Sequence, residues 1–183
     1  GLLGVVAWPL AVFSVAFLFR NELRDAFERL TKFKYRDLEA DFGRELEKAE
    51  AEAEASALPD TGRSVELLPS GTRANAEQLF EVTEVSPRAA VLLAWTAVEH
   101  AAHGACRRLG ISEPERLVGH RLINAIADKG ELSDEMMSLY DRLRKLRNEA
   151  AHARDFDISR EKTQRYIQLV LRLVEKLDGV GKD

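Results

Sequence analysis

The sequence predicts an all-α protein: an N-terminal transmembrane helix, a juxtamembrane helical stalk and a C-terminal four-helix bundle. Three observations lead there. The first 19 of the 183 residues contain no charged group. From residue 87 onward, apolar residues recur at three- and four-residue spacing, the period of a helix with one buried face. Serine, proline and glycine punctuate those stretches where helices begin and end.

Gly1 to Phe19 (GLLGVVAWPLAVFSVAFLF) is followed at once by Arg20. At 1.5 Å per residue it spans about 28 Å, close to the hydrocarbon thickness of a bilayer. Pro9 would kink the helix, which membrane helices tolerate better than soluble ones. A signal peptide would open with basic residues and end in small ones. This run ends in Phe17-Leu18-Phe19-Arg20 and continues into charged sequence, so residues 1–19 read as a retained single span. The chain opens without Met, so further residues are expected upstream. Residues 20–36 carry six basic and three acidic groups. By the positive-inside rule, that places everything after the span in the cytoplasm, at the inner (plasma) membrane. The lone Cys106 fits a reducing compartment.

Residues 20–57 form the expected stalk. Leu23, Phe27 and Leu30 have helical spacing; Phe33 to Leu38 is compatible with either strand or helix. Glu45 to Ala57 is rich in helix formers but short of large apolar residues, so it reads as a solvated helix or spacer. Pro59, Gly62, Pro69, Ser70 and Gly71 give residues 58–86 a linker composition. Residues 37–86 hold thirteen acidic and four basic groups. Such a stalk would be repelled by anionic headgroups, although an ordinary solvated spacer has the same composition.

Residues 87–183 carry seventeen basic and fifteen acidic groups, so charge alone does not advertise nucleic acid. The first helix is expected from Pro87 to Leu109, capped by Ser86 and ended by Gly110. The second covers about Glu115 to Ala127. The third runs from Asp134 to Ala151 behind Ser133, with Leu139, Leu143, Leu146 and Ala150 on one face. The fourth runs from Arg160 to Leu177 behind Ser159. A bundle of about 97 residues has a modest core, and pairing into a homodimer or higher homo-oligomer would bury more apolar surface.

The third helix ends in Leu143-Arg144-Lys145-Leu146-Arg147-Asn148-Glu149-Ala150-Ala151-His152. The Arg147-Asn148-x-x-x-His152 pattern, at the end of the third of four helices and with Glu99 in the middle of the first, resembles the signature of the HEPN superfamily. The resemblance covers residues 87–178. It implies metal-independent RNA cleavage by a dimer whose two motifs face one cleft. His152 would take a proton from a ribose 2′-hydroxyl or give one to the leaving oxygen. Arg147 would stabilise charge on the scissile phosphate, and Asn148 would orient the phosphate or the imidazole. Glu99 would hold Arg147 or tune His152. Five helical residues rotate about 140°, so Arg147 and His152 meet only where the helix unwinds.

A structural reading competes. Cations in the last helical turn suit the macrodipole, and Arg147 has Glu99 and Asp141 as ion-pair candidates. Glu99, His100, His103 and Cys106 resemble metal ligands on paper, but no second ligand pair accompanies them. Cys106 reads as a small core residue and His120 as a surface one. The chain has no glycine-rich phosphate loop, nucleophile elbow or zinc spacing, so no cofactor and no metal are expected. Two functions follow. One is a membrane-tethered endoribonuclease with an RNA substrate, serving stress or phage defence. The other is a non-catalytic module that uses the same bundle to engage a protein partner at the membrane.

Overall fold

The computed structural model describes Phe17 and residues 20–56, 58, 70–153 and 158–182. Helices account for every regular element among them: α1 (Arg20–Ala55), α2 (Ser70–Val85), α3 (Pro87–Arg108), α4 (His120–Ala127), α5 (Asp134–His152) and α6 (Arg160–Gly179), with a 3₁₀ turn at Pro114–Arg116. The all-α class is therefore observed. Phe33 to Leu38 lies within α1, which resolves the choice between strand and helix. The expected span at 1–19 falls outside the described residues except for Phe17. No helix among the described residues is long and apolar enough to cross a membrane.

The chain divides into two compact units, Gly1–Leu38 and Glu39–Asp183. In the first, the Arg20 guanidinium sits 4.3 Å from the Phe17 ring centre. All that follows concerns the second.

Three helices start where local chemistry says they should. The Ser86 hydroxyl accepts the Ala89 N–H at 3.2 Å and Pro87 opens α3, its missing N–H costing nothing at that position. Ser133 accepts from Met136 N–H at the start of α5, and Ser159 from Lys162 N–H at the start of α6. The α5 stripe of Leu139, Leu143, Leu146 and Ala150 is fully buried. Tyr166 of α6 is buried too, its hydroxyl donating to the Leu143 carbonyl at 3.3 Å.

Helix directions follow from the end contacts. Arg108, the last residue of α3, donates to the carbonyls of Leu177 and Val180 at the end of α6, both at 2.6 Å. At the other end Arg160, the first residue of α6, pairs with Glu84 just before α3 begins. Helices α3 and α6 therefore run parallel. Arg88, near the start of α3, donates to the Ala151 carbonyl at the end of α5, so α5 runs antiparallel to both.

Three expectations fail here. Residues 45–57 are no solvated spacer. Phe42, Leu46, Ala49 and Ala53 repeat at i, i+4, i+7 and i+11 and are buried, with the Phe42 ring 6.3 Å from that of Tyr166. Ion pairs flank this seam. Glu45 reaches Arg142 and Lys145 of α5, and Glu50 takes two hydrogen bonds from Arg165 of α6 at 2.7 and 2.6 Å. Residues 70–85 are no linker either: they form α2 and bury Ala76, Leu79 and Thr83. The unit thus holds more than four helices. Finally, the second bundle helix is shorter than expected. Gly119 adopts φ 55°, ψ −127°, a conformation that favours glycine, and breaks the chain into the 3₁₀ turn and α4.

Candidate functional site

The motif sits at the end of the bundle where α3 begins and α5 ends. Arg147 is 27% exposed and held on three sides. Its Nη1 donates to Asn148 Oδ1 at 2.9 Å and its Nη2 to Glu99 Oε1 at 3.4 Å. Its guanidinium carbon lies 5.2 Å from the centre of the Trp95 ring, a cation–π distance. Trp95 also donates its indole N–H to the same Glu99 oxygen at 2.9 Å. Trp95 and Glu99 stand one turn apart on α3, so a single helix face supplies both the aromatic floor and the acidic clamp. Of the two carboxylates considered for Arg147, Glu99 is the partner. Asp141 instead meets His120 and Arg144.

His152 stands apart. It is the last residue of α5, exposed, and its side chain forms no hydrogen bond or ion pair among the described residues. Because α5 stays helical through His152, its side chain leaves the helix about 140° away from that of Arg147. Arg147, Asn148 and Glu99 are thus brought together in one chain, and His152 is not brought to them. Arg88 fixes the end of α5 through the Ala151 carbonyl, one residue before His152.

Beneath the arginine lies an aromatic layer that reading the sequence did not single out. The Trp95 and Tyr140 rings are 5.1 Å apart and tilted by 44°. The His120 ring meets Tyr140 edge-on at 6.1 Å. Burial pushes the Tyr140 phenol up to about 12; Glu99 and Asp141 act in the same sense, while Arg144 and Arg147 oppose. Four charged groups of the site therefore surround one phenol. His120, taken for a surface residue, is 43% exposed, but its Nε2 is 3.2 Å from Asp141 Oδ1. Only an across-helix contact identifies it, for which the sequence carries no local signal.

A metal does not suggest itself. Among the described residues no three of the His, Cys, Asp and Glu side chains converge as ligands. His103 Nδ1 lies 2.7 Å from the Glu99 carbonyl oxygen, and the buried Cys106 thiol points to the Leu122 carbonyl. Burial pushes that thiol up, which suits a core residue and not a nucleophile.

Residues 77–178 match the model of a family described as a domain of unknown function, DUF4145. That is more than half of the chain. The chain belongs to the DUF4145 family. No curated protein and no solved structure matches it. The DUF4145 segment opens inside α2 and closes near the end of α6, so it encloses Trp95, Glu99, His120, Arg147, Asn148 and His152. It also begins ten residues before the bundle boundary read from the sequence, in keeping with α2 being part of the packed unit.

Proposed function

We propose that this DUF4145 chain is a HEPN-like, metal-independent endoribonuclease that works as a dimer at the inner membrane, in the manner of a stress or phage-defence effector. The observation that carries this reading is the contrast between the two motif residues. Arg147 is pre-oriented by Glu99, Asn148 and Trp95 while still reaching solvent, whereas His152 is exposed and unpartnered among the described residues. The reading takes the held guanidinium as the phosphate-binding group and the open imidazole as the proton-transfer group.

Divergence of the two side chains on one helix argues for a second copy. Two motifs facing each other would set the Arg147 of one chain beside the His152 of the other. RNA needs little more for self-cleavage: a proton acceptor for the 2′-hydroxyl, a donor for the leaving oxygen and a cation for the phosphorane-like charge. A positioned acid or base contributes about a hundred- to ten-thousandfold. A group that stabilises developing charge contributes about a hundred- to thousandfold.

The test is cleavage of varied RNAs by the full chain in excess chelator, beside Arg147→Ala and His152→Ala. Loss of cleavage in both variants, with folding and self-association retained, supports the enzyme. A folded wild type that leaves every RNA intact refutes it. One observation favours the non-catalytic module as a second reading: both Nη atoms of Arg147 are satisfied within one chain. If the module is right, Arg147→Ala weakens the fold or a protein contact and no RNA is cut.

A further inference from the structure

We propose that His120, oriented by Asp141, is the general base of this site. The inference rests on the ribonuclease reading and supplies what that reading lacks, a second imidazole.

Position comes first. Gly119, in its glycine-favouring conformation, turns the chain so that His120 opens α4. The imidazole meets Tyr140 edge-on, Tyr140 packs at a tilt against Trp95, and Trp95 underlies Arg147. One aromatic floor thus runs from His120 to Arg147. Asp141 and Arg147 are six residues apart on α5, about 9 Å along its axis. Arg144 lies between them, its Nε 3.8 Å from Asp141 Oδ1. The side chains of Asp141 and Arg147 also leave α5 about 120° apart, so a nucleotide held here would have to curve around the helix to reach both.

The contact with Asp141 points the same way. Asp141 Oδ1 lies 3.2 Å from Nε2, which favours the proton of a neutral imidazole on that nitrogen and leaves Nδ1 for a substrate. Among the described residues Nδ1 has no protein partner. A carboxylate beside a half-exposed imidazole is the pairing that general bases use. Stability gives little reason for it, because ion pairs this exposed contribute roughly 0–1 kcal/mol.

The step balances. His120 Nδ1 takes the proton of the 2′-hydroxyl as its oxygen bonds to phosphorus, and Arg147 and Arg144 face the charge on the non-bridging oxygens. The bond from phosphorus to the 5′-oxygen breaks, and that oxygen takes a proton from His152 of a second copy. The products are a 2′,3′-cyclic phosphate and a 5′-hydroxyl, with the two histidines left in exchanged protonation states that water restores.

The experiment uses the full chain, an oligoribonucleotide with one scissile linkage, and its counterpart with sulfur replacing the bridging 5′-oxygen. Sulfur leaves without protonation, so it rescues a missing acid but not a missing base. His120→Gln should slow the oxygen substrate about a hundred- to ten-thousandfold and stay slow on sulfur. His152→Gln should recover on sulfur. Asp141→Asn should slow the oxygen substrate about tenfold, again without sulfur rescue; it carries the test alone should Gln at position 120 unfold the chain. An active wild type with His120→Gln within threefold of it overturns the base and leaves the ribonuclease standing. Sulfur rescue of His120→Gln also overturns it, by making His120 the acid. A wild type that cleaves neither substrate overturns both.

Discussion

Leu46→Ala tests whether residues 39–55 belong to the folded unit. Leu46 is fully buried, with Phe42, Ala49 and Ala53 on the same face of α1. Truncation to alanine removes three carbons, at about 0.8 kcal/mol each in transfer free energy. The small neighbours Ala49 and Ala53 cannot swing into the space, so a cavity term adds to this and the total reaches about 3–4 kcal/mol. At roughly 2–4 °C per kcal/mol for a unit of this size, the melting temperature should fall by about 6–16 °C. Urea denaturation of the full chain followed by circular dichroism measures the free energy, and a thermal scan the temperature. Glu47→Ala is the control: its side chain is exposed on the same helix, and the expected change is within about 0.5 kcal/mol. Leu146→Ala in α5 should match Leu46→Ala, since both leucines are fully buried. A loss below about 1 kcal/mol at Leu46, with a normal loss at Leu146, would refute the packing of α1 and restore the solvated spacer.

Other outcomes follow from single groups. Burial raises the Glu149 carboxyl above its ordinary range; Lys145 opposes this and Glu45 adds to it, and Glu149 Oε2 has no hydrogen-bond partner. A carboxyl raised on folding favours the folded state at low pH and loses that contribution as pH rises. Glu149→Gln should therefore raise the melting temperature at neutral pH, and the gain should shrink as pH falls and the native carboxyl takes up its proton. Gly119→Ala should cost about 1–3 kcal/mol from backbone strain alone, because its added Cβ meets nothing within 4 Å; the same change at Gly179 should be nearly neutral. Glu50→Gln breaks the two-pronged bond with Arg165 and should cost about 1 kcal/mol in denaturation at low salt, a difference that shrinks in 1 M NaCl.

What was legible in the chain was local. Ser86, Ser133 and Ser159 mark helix starts because capping involves residues three positions away, and the α5 stripe is made of large leucines. The segments missed are those whose buried faces are small. Ala49, Ala53 and Ala76 carry too little apolar surface to stand out among solvated helix formers, and only the facing helix reveals them as core. Ser70 and Gly71 looked like linker but open α2, because serine and glycine suit helix starts as well as loops. At the site, proximity along α5 disclosed Arg147 and Asn148, and a mid-helix acid on an apolar α3 disclosed Glu99. His120 stayed hidden because Asp141 lies twenty-one positions away on another helix.

The parallel pairing of α3 and α6 has a consequence for how the chain is made. Helices joined by a short loop run antiparallel and can dock as soon as the second emerges. Here Arg108 must wait for Val180, seventy-two residues later. At the usual pace of synthesis that is about 4 to 14 s. Throughout it, α3 lacks the helix against which it packs most extensively. Trp95 is covered sooner, when α5 brings Tyr140 and Arg147 to it. The rest of the apolar face of α3 is therefore open to misassembly until α6 has formed.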